Sequence, residues 1–228
     1  MEIRTLVAVA ALATVGGVVA SANASGPTFH TPIPYTSAPD APWDNTSPGF
    51  FLENFEDGAL NTIGLGADNG SVRAPGPFTD SVDGDDGSID GFGTAGHSWW
   101  LLETATDGVN FTFDAEELGG LPTMAGLVWT DGNPLAVVTF EAFDRNNVSL
   151  GFTQHNFGST THTGNTGADR FLGVEYHDGI SSLLISVSTG GLEVDHVQYG
   201  EIIPVPTPGA MALLAIAGLA GNRRRRRI

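Results

Sequence analysis

The sequence predicts an all-β fold, an antiparallel two-sheet β-sandwich of jelly-roll type. Three observations point there. Glycine (31) and proline (13) are abundant in a chain of 228 residues, which favours many turns over long helices. Short runs rich in β-branched and aromatic residues recur at turn-length spacing, the pattern of a sandwich or barrel. Within one run, Val109, Phe111 and Phe113 alternate with Asn110 and Thr112, the period of a half-buried strand.

Taken from the N-terminus, residues 1–24 read as a signal peptide. Arg4 precedes an apolar run from Leu6 to Ala20, and small residues provide the exits Ala20-Ser21-Ala22 and Ala22-Asn23-Ala24. Residues 25–48 carry Pro27, Pro32, Pro34, Pro39, Pro42 and Pro48 and read as an extended proline-rich linker or arm. The sandwich domain is expected over 49–201. Its strands are placed at Phe50 to Phe55, Ser98 to Leu102, Val109 to Phe113, Thr123 to Thr130, Leu135 to Phe143 and Val148 to Phe152. Three more lie at Arg170 to Tyr176, Ser181 to Ser188 and Leu192 to Tyr199. Asp144-Arg-Asn-Asn147 reads as a hairpin turn, and only Asp114 to Leu118 looks helical. Residues 202–228 form a tail: a proline motif, a short apolar segment from Ala210 to Ala220, and five arginines. That apolar segment spans roughly 20 Å at about 1.5 Å per residue, too short for a ~30 Å hydrocarbon core. It suits a transient stay in the inner membrane, with the arginines held on the cytoplasmic side.

The formal net charge is −17, there is no lysine, and five of the nine basic residues sit together at Arg223 to Arg227. The domain between the two ends is therefore almost purely acidic. Nucleic acid is excluded as a partner, since its binding rests on Lys and Arg neutralising phosphates. The absence of cysteine excludes disulfides and thiolate metal sites.

Carboxylates are the first candidate site. Calcium takes six to eight oxygen ligands, which clustered acids on a glycine-rich loop supply. The run Asp80-Ser-Val-Asp-Gly-Asp-Asp-Gly-Ser-Ile-Asp90 offers Asp83, Asp85, Asp86 and Asp90. It is not an EF-hand, because counting from Asp86 puts His97 at the twelfth position. Glu56 and Asp57 near the first strand and Asp195 in the last are a second set, since the first and last strands of a jelly roll lie close together. A structural Ca²⁺ is the expected cofactor of either. Trp99, Trp100 and Trp129 are candidate sugar-stacking platforms, with Asp131 beside them as a hydroxyl acceptor. No short histidine spacing, nucleophile elbow or phosphate loop is present, so no catalytic residue is expected. Paired carboxylates for glycoside cleavage are not visible from sequence. A cleft holding two perturbed carboxylates would favour a secreted polysaccharide hydrolase or lyase. A flat or convex aromatic surface would favour binding, and the absence of any pocket or ligand a purely structural coat protein.

One resemblance adds to this. The order Val205-Pro206-Thr207-Pro208-Gly209, an Ala/Leu/Gly segment, then Arg223, Arg224, Arg225, Arg226 and Arg227 resembles the PEP-CTERM sorting signal of Gram-negative bacteria, also labelled the ice-binding protein C-terminal domain. Pro-Thr-Pro stands where that signal has Pro-Glu-Pro. Leu121 to Gly132, Phe140 to Asp144, Ala168 to Gly173 and Leu192 to Gly200 are similar to segments of such exported proteins. The resemblance implies removal of the tail by an exosortase and a place at the cell surface or in the extracellular matrix. The expected function is a non-enzymatic surface protein that binds calcium, extracellular polysaccharide, or both.

Overall fold

The computed structural model describes residues 26–85, 95–102, 107–133, 135–157, 167 and 169–204. Two antiparallel sheets pack face to face. In the first, β1 (Thr28–Phe29) and β2 (Ile33–Pro34) pair with β11 (Arg170–Glu175), which continues through β8 (Leu121–Gly132), β13 (Leu192–Ile203), β6 (Ser98–Leu101) and β5 (Ser71–Arg73). A short β3 (Phe51–Glu53) also pairs with β13. The second sheet runs β10 (Ser149–His155), β9 (Val138–Asp144), β12 (Ile180–Val187), β7 (Val109–Phe113), β4 (Leu65–Ala67). The one α-helix among the described residues, α1 (Ala115–Leu118), is a single turn capped by the Asp114 carboxylate, which accepts from the amides of Glu116 and Glu117.

The two-sheet β-sandwich expected from the sequence is thus the observed fold. Alternation is why the sheets meet as they do. Val109, Phe111 and Phe113 are buried against Ala125, Leu127, Trp129, Leu183, Ile185, Val194 and Tyr199, while Thr112 is exposed. By contrast, β8 and most of β13 are buried on both faces, because something covers the outer face of the first sheet.

Part of that cover is the segment expected to be a linker or arm. It is extended, as its prolines demand, and it lies as an arm on the sheet. Pro34 sits on the short edge strand β2, where a missing amide costs no ladder bond. The Asp40 carboxylate accepts from the amides of Thr36 and Ser37 and the Thr36 hydroxyl, and these bonds hold its pKa below the usual carboxylate value. Tyr35 is fully buried, its ring stacked on Phe171, and Trp43 meets the same Phe171 edge-on. With Ala41, Val82, Val128 and Ile33 they form a second small core. At the other end β13 runs past the expected boundary. Ile202 and Ile203, read as tail, still pair with Pro122 and Leu121.

Candidate functional site

The register of the first sheet sorts its chemistry. Paired residues on neighbouring strands share a face. Val72, Trp99, Val194 and Trp129 form one such row, and Ser71, Trp100, Glu193 and Asp131 form the next. The first row points into the core. Trp99 (7% exposed) and Trp129 (2%) are therefore core residues, which corrects their reading as sugar platforms. Trp99 also donates from Nε1 to the Asn69 carbonyl, 3.0 Å. The second row points outward, so Trp100 alone of the three reaches the surface.

Trp100 lines an open cleft of about 420 Å³ at the β5–β6 edge. The Arg73 guanidinium lies over its ring, 4.5 Å from the centroid, the diagonal neighbour across the strand pair. Phe78 (50% exposed) and Leu102 (54%) add apolar wall. Asn133 and Gly190 to Leu192 close one side, and Asp131 and Glu193 lie beneath. Asp131, expected to act beside Trp129, lies instead beside the half-buried Trp100, and its carboxylate is nearly sealed (3%).

Glu193, also 3% exposed, accepts from the Ser98 hydroxyl and, at 3.3 Å, from the Asp80 amide. Burial pushes its pKa up to about 8; those two bonds oppose the shift, and the charges of Asp131 and Asp80 add to it.

A second group lies further along β13. The register with β8 shifts between Asp195 and Gln198, and His196 has φ 43°. This bulge places one extra residue in β13. Val194, Val197 and Tyr199 all reach the core, while Asp195, His196 and Gln198 turn to the outer face. The segment Thr79 to Asp85 caps them. Its Val82 amide donates to Asp195 Oδ2 at 3.0 Å, and Asp83 Oδ2 lies 3.2 Å from His196 Nε2. From the other side the Tyr35 hydroxyl lies 2.9 Å from His196 Nδ1 and accepts from Gln198 Nε2 at 2.6 Å. Burial raises Asp195 to about 7, against the pull of His196 and its two amide bonds. For His196, burial works to lower the pKa, but Asp195 and Asp83 outweigh it and the net shift is upward. Burial likewise raises Tyr35, reinforced by the Asp195 charge.

Of the expected metal ligands, Asp83 and Asp195 converge here, and the charge of Glu56 reaches His196. Glu56 itself accepts from the His97 amide at 2.5 Å. Asp57 does not join them. It is exposed and closes its own turn, accepting from the Ala59 amide and Asn61 Nδ2. Asp86, Asp90 and the Asp85 side chain lie outside the described residues, as do both sequence ends with Val205 to Gly209 and Arg223 to Arg227. Among the described residues no helix is long and apolar enough to cross a membrane. The sequence reading missed Arg73, Phe78, Glu193 and His196. One signal was available for the last two: three ionisable residues, Glu193, Asp195 and His196, crowd among Leu192, Val194 and Val197 within six residues of one strand.

No family model matches the chain, and no curated protein matches it. Among solved structures it is similar to the CBM22-2 xylan-binding domain of Xyn10C from Paenibacillus barcinonensis. The TM-score is 0.33 and the identity 15%, covering 66% of this chain and 98% of that one. Xylan binding is a property of that protein.

Proposed function

We propose that this chain is an exported surface or matrix protein whose sandwich binds polysaccharide in the Trp100 cleft without cleaving it. The observation that carries the reading is the half-buried Trp100 ring at the surface with Arg73 across it, set between Phe78 and Leu102. A flat ring offers an apolar face to the C–H face of a pyranose. The guanidinium beside it is a planar fork of N–H donors for ring hydroxyls. A cleft of this volume takes a short stretch of chain. Export and sorting follow from the apolar run Leu6 to Ala20 and the Pro206-to-Arg227 tail, processed by an exosortase. Mature surface protein should lack both by intact mass.

A second reading, a polysaccharide hydrolase, is favoured by Glu193, a carboxyl held protonated at neutral pH opposite Asp131 at the cleft base. Against it, both acids are nearly sealed. Glu193 is already engaged by Ser98 and the Asp80 amide, and Asp131 Oδ1 accepts from the Gly132 amide. A general acid must reach the proton acceptor it serves.

The test is affinity electrophoresis of the full chain in gels cast with a panel of acidic and neutral polysaccharides, paired with a reducing-end assay on the same panel. Retardation that Trp100→Ala abolishes, with no new reducing ends, supports binding. Reducing ends that disappear in Glu193→Gln would establish the hydrolase. No retardation by any polymer would refute the cleft as a glycan site.

A further inference from the structure

Asp83, Asp195 and His196 lie outside the Trp100 cleft, and the binding reading makes no use of them. Their donor atoms all lie within 4.8 Å of one another. Consecutive residues of a regular strand point to opposite faces. Asp195 and His196 share a face only because the bulge inserts one residue and His196 adopts a left-handed backbone. The third donor arrives from the Thr79-to-Asp85 segment, locked in place by the Val82 amide on Asp195.

The donor set decides the class of ion. Calcium and magnesium take oxygen ligands, whereas imidazole suits zinc and its first-row neighbours. A zinc ion held by one imidazole nitrogen and two carboxylate oxygens needs contacts of about 2.0–2.2 Å, which puts ligand atoms about 3.4 Å apart. Asp83 Oδ2 already lies 3.2 Å from His196 Nε2, and its side chain is half-exposed. The outer nitrogen of the ring already has its partner. Nδ1 faces the Tyr35 hydroxyl, which also accepts from Gln198. That is the arrangement in which a metal-bound imidazole donates its second N–H. Charge points the same way. Asp195 is fully buried beside Asp83, and the ion pair of Asp83 is with His196. A divalent cation would balance both carboxylates.

We propose that Asp83, Asp195 and His196 bind a divalent transition metal of the zinc class, with water completing the shell. The ion would tie the Thr79-to-Asp85 segment directly, and the arm through Tyr35, to the outer face of the first sheet. The test is calorimetric titration of the full chain, stripped with chelator, using Zn²⁺, Ca²⁺ and Mg²⁺ separately, with Co²⁺ as a spectroscopic probe. The expected result is one equivalent of Zn²⁺ bound at least tenfold more tightly than Ca²⁺, with Co²⁺ giving visible absorption bands. Two variants should each weaken Zn²⁺ at least tenfold. Asp83→Ala changes an exposed side chain and leaves the fold intact. His196→Asn removes the imidazole but keeps a residue that accepts left-handed backbone, and it should abolish the Co²⁺ bands. Trp100→Ala should leave Zn²⁺ binding unchanged. Absence of stoichiometric Zn²⁺ binding would overturn the proposal. So would Zn²⁺ binding that neither variant alters, or a preference for Ca²⁺. If His196→Asn fails to fold, Asp83→Ala decides alone.

Discussion

Glu193 makes stability depend on pH in an unusual direction. Its folded pKa is about 8 against an ordinary value of 4.5, so the native state holds a proton that the unfolded chain releases. A group raised in this way contributes stability that is complete below its unfolded pKa. That stability is lost as pH rises through the folded one. Over the window from about 5 to 8 the loss is about 1.4 kcal/mol per pH unit, hence about 3 kcal/mol between pH 5.5 and 7.5. Asp195, raised to about 7, adds a loss of the same sign that ends earlier. The perturbation is Glu193→Gln, which fits the same bonds: Oε1 accepts from the Asp80 amide and Nε2 donates to the Ser98 oxygen. Urea unfolding of both proteins across pH 5.5 to 8.5 measures the slope. The variant should retain only the components of Asp195 and of His196, whose folded pKa is also raised, and be the more stable of the two at pH 8. Identical slopes would refute the claim that burial keeps Glu193 protonated.

Four further outcomes follow from packing and from buried hydrogen bonds. Trp99→Ala should cost about 3–5 kcal/mol in chemical denaturation, because the ring fills the core against Phe55 and Phe111. Trp100→Ala should cost about 1 kcal/mol, the scale of its contact with Arg73. Tyr35→Phe removes the acceptor for buried Gln198 Nε2 and should lower stability by about 1–3 kcal/mol, with faster proteolysis of the 26–48 arm. Gly126→Ala would place a Cβ 2.5 Å from the Leu172 carbonyl and the Phe171 ring. About 3 kcal/mol of overpacking should result, read as a lower thermal midpoint.

Strands with strong alternation were legible in the sequence. Val109 to Phe113 is observed as expected, because each side chain there answers to one core. The edge strands β4 and β5 were not. Leu65–Ala67 and Ser71–Arg73 are three residues each, and pairing with longer neighbours decides their conformation. Six prolines left linker and arm both open, and Tyr35 and Trp43 decide for the arm by supplying an apolar face that the sheet accepts. Adjacent Trp99 and Trp100 look alike in sequence, and register alone separates core from surface. Asp83 and Asp195 were legible as metal candidates by composition. Their partner His196 was not, because only a bulge brings a residue next to Asp195 onto the same face.

The outer face of the first sheet joins these findings physically. In an antiparallel sandwich such a face is usually left to water, and polar residues on it cost nothing. Here Glu193, Asp195 and Gln198 are sealed beneath the arm and the Thr79-to-Asp85 segment. The polar bonds that replace water are each worth only about 1 kcal/mol net, so the lid is held chiefly by Tyr35, Trp43, Val82 and Phe171. Phe78, which walls the Trp100 cleft, immediately precedes the segment that Asp80, Val82 and Asp83 anchor to β13. The shape of the cleft therefore depends on acids that are nearly sealed at and beneath its base. Whatever neutralises them, a proton on Glu193 or a cation beside Asp195, also sets how firmly the cleft wall is held.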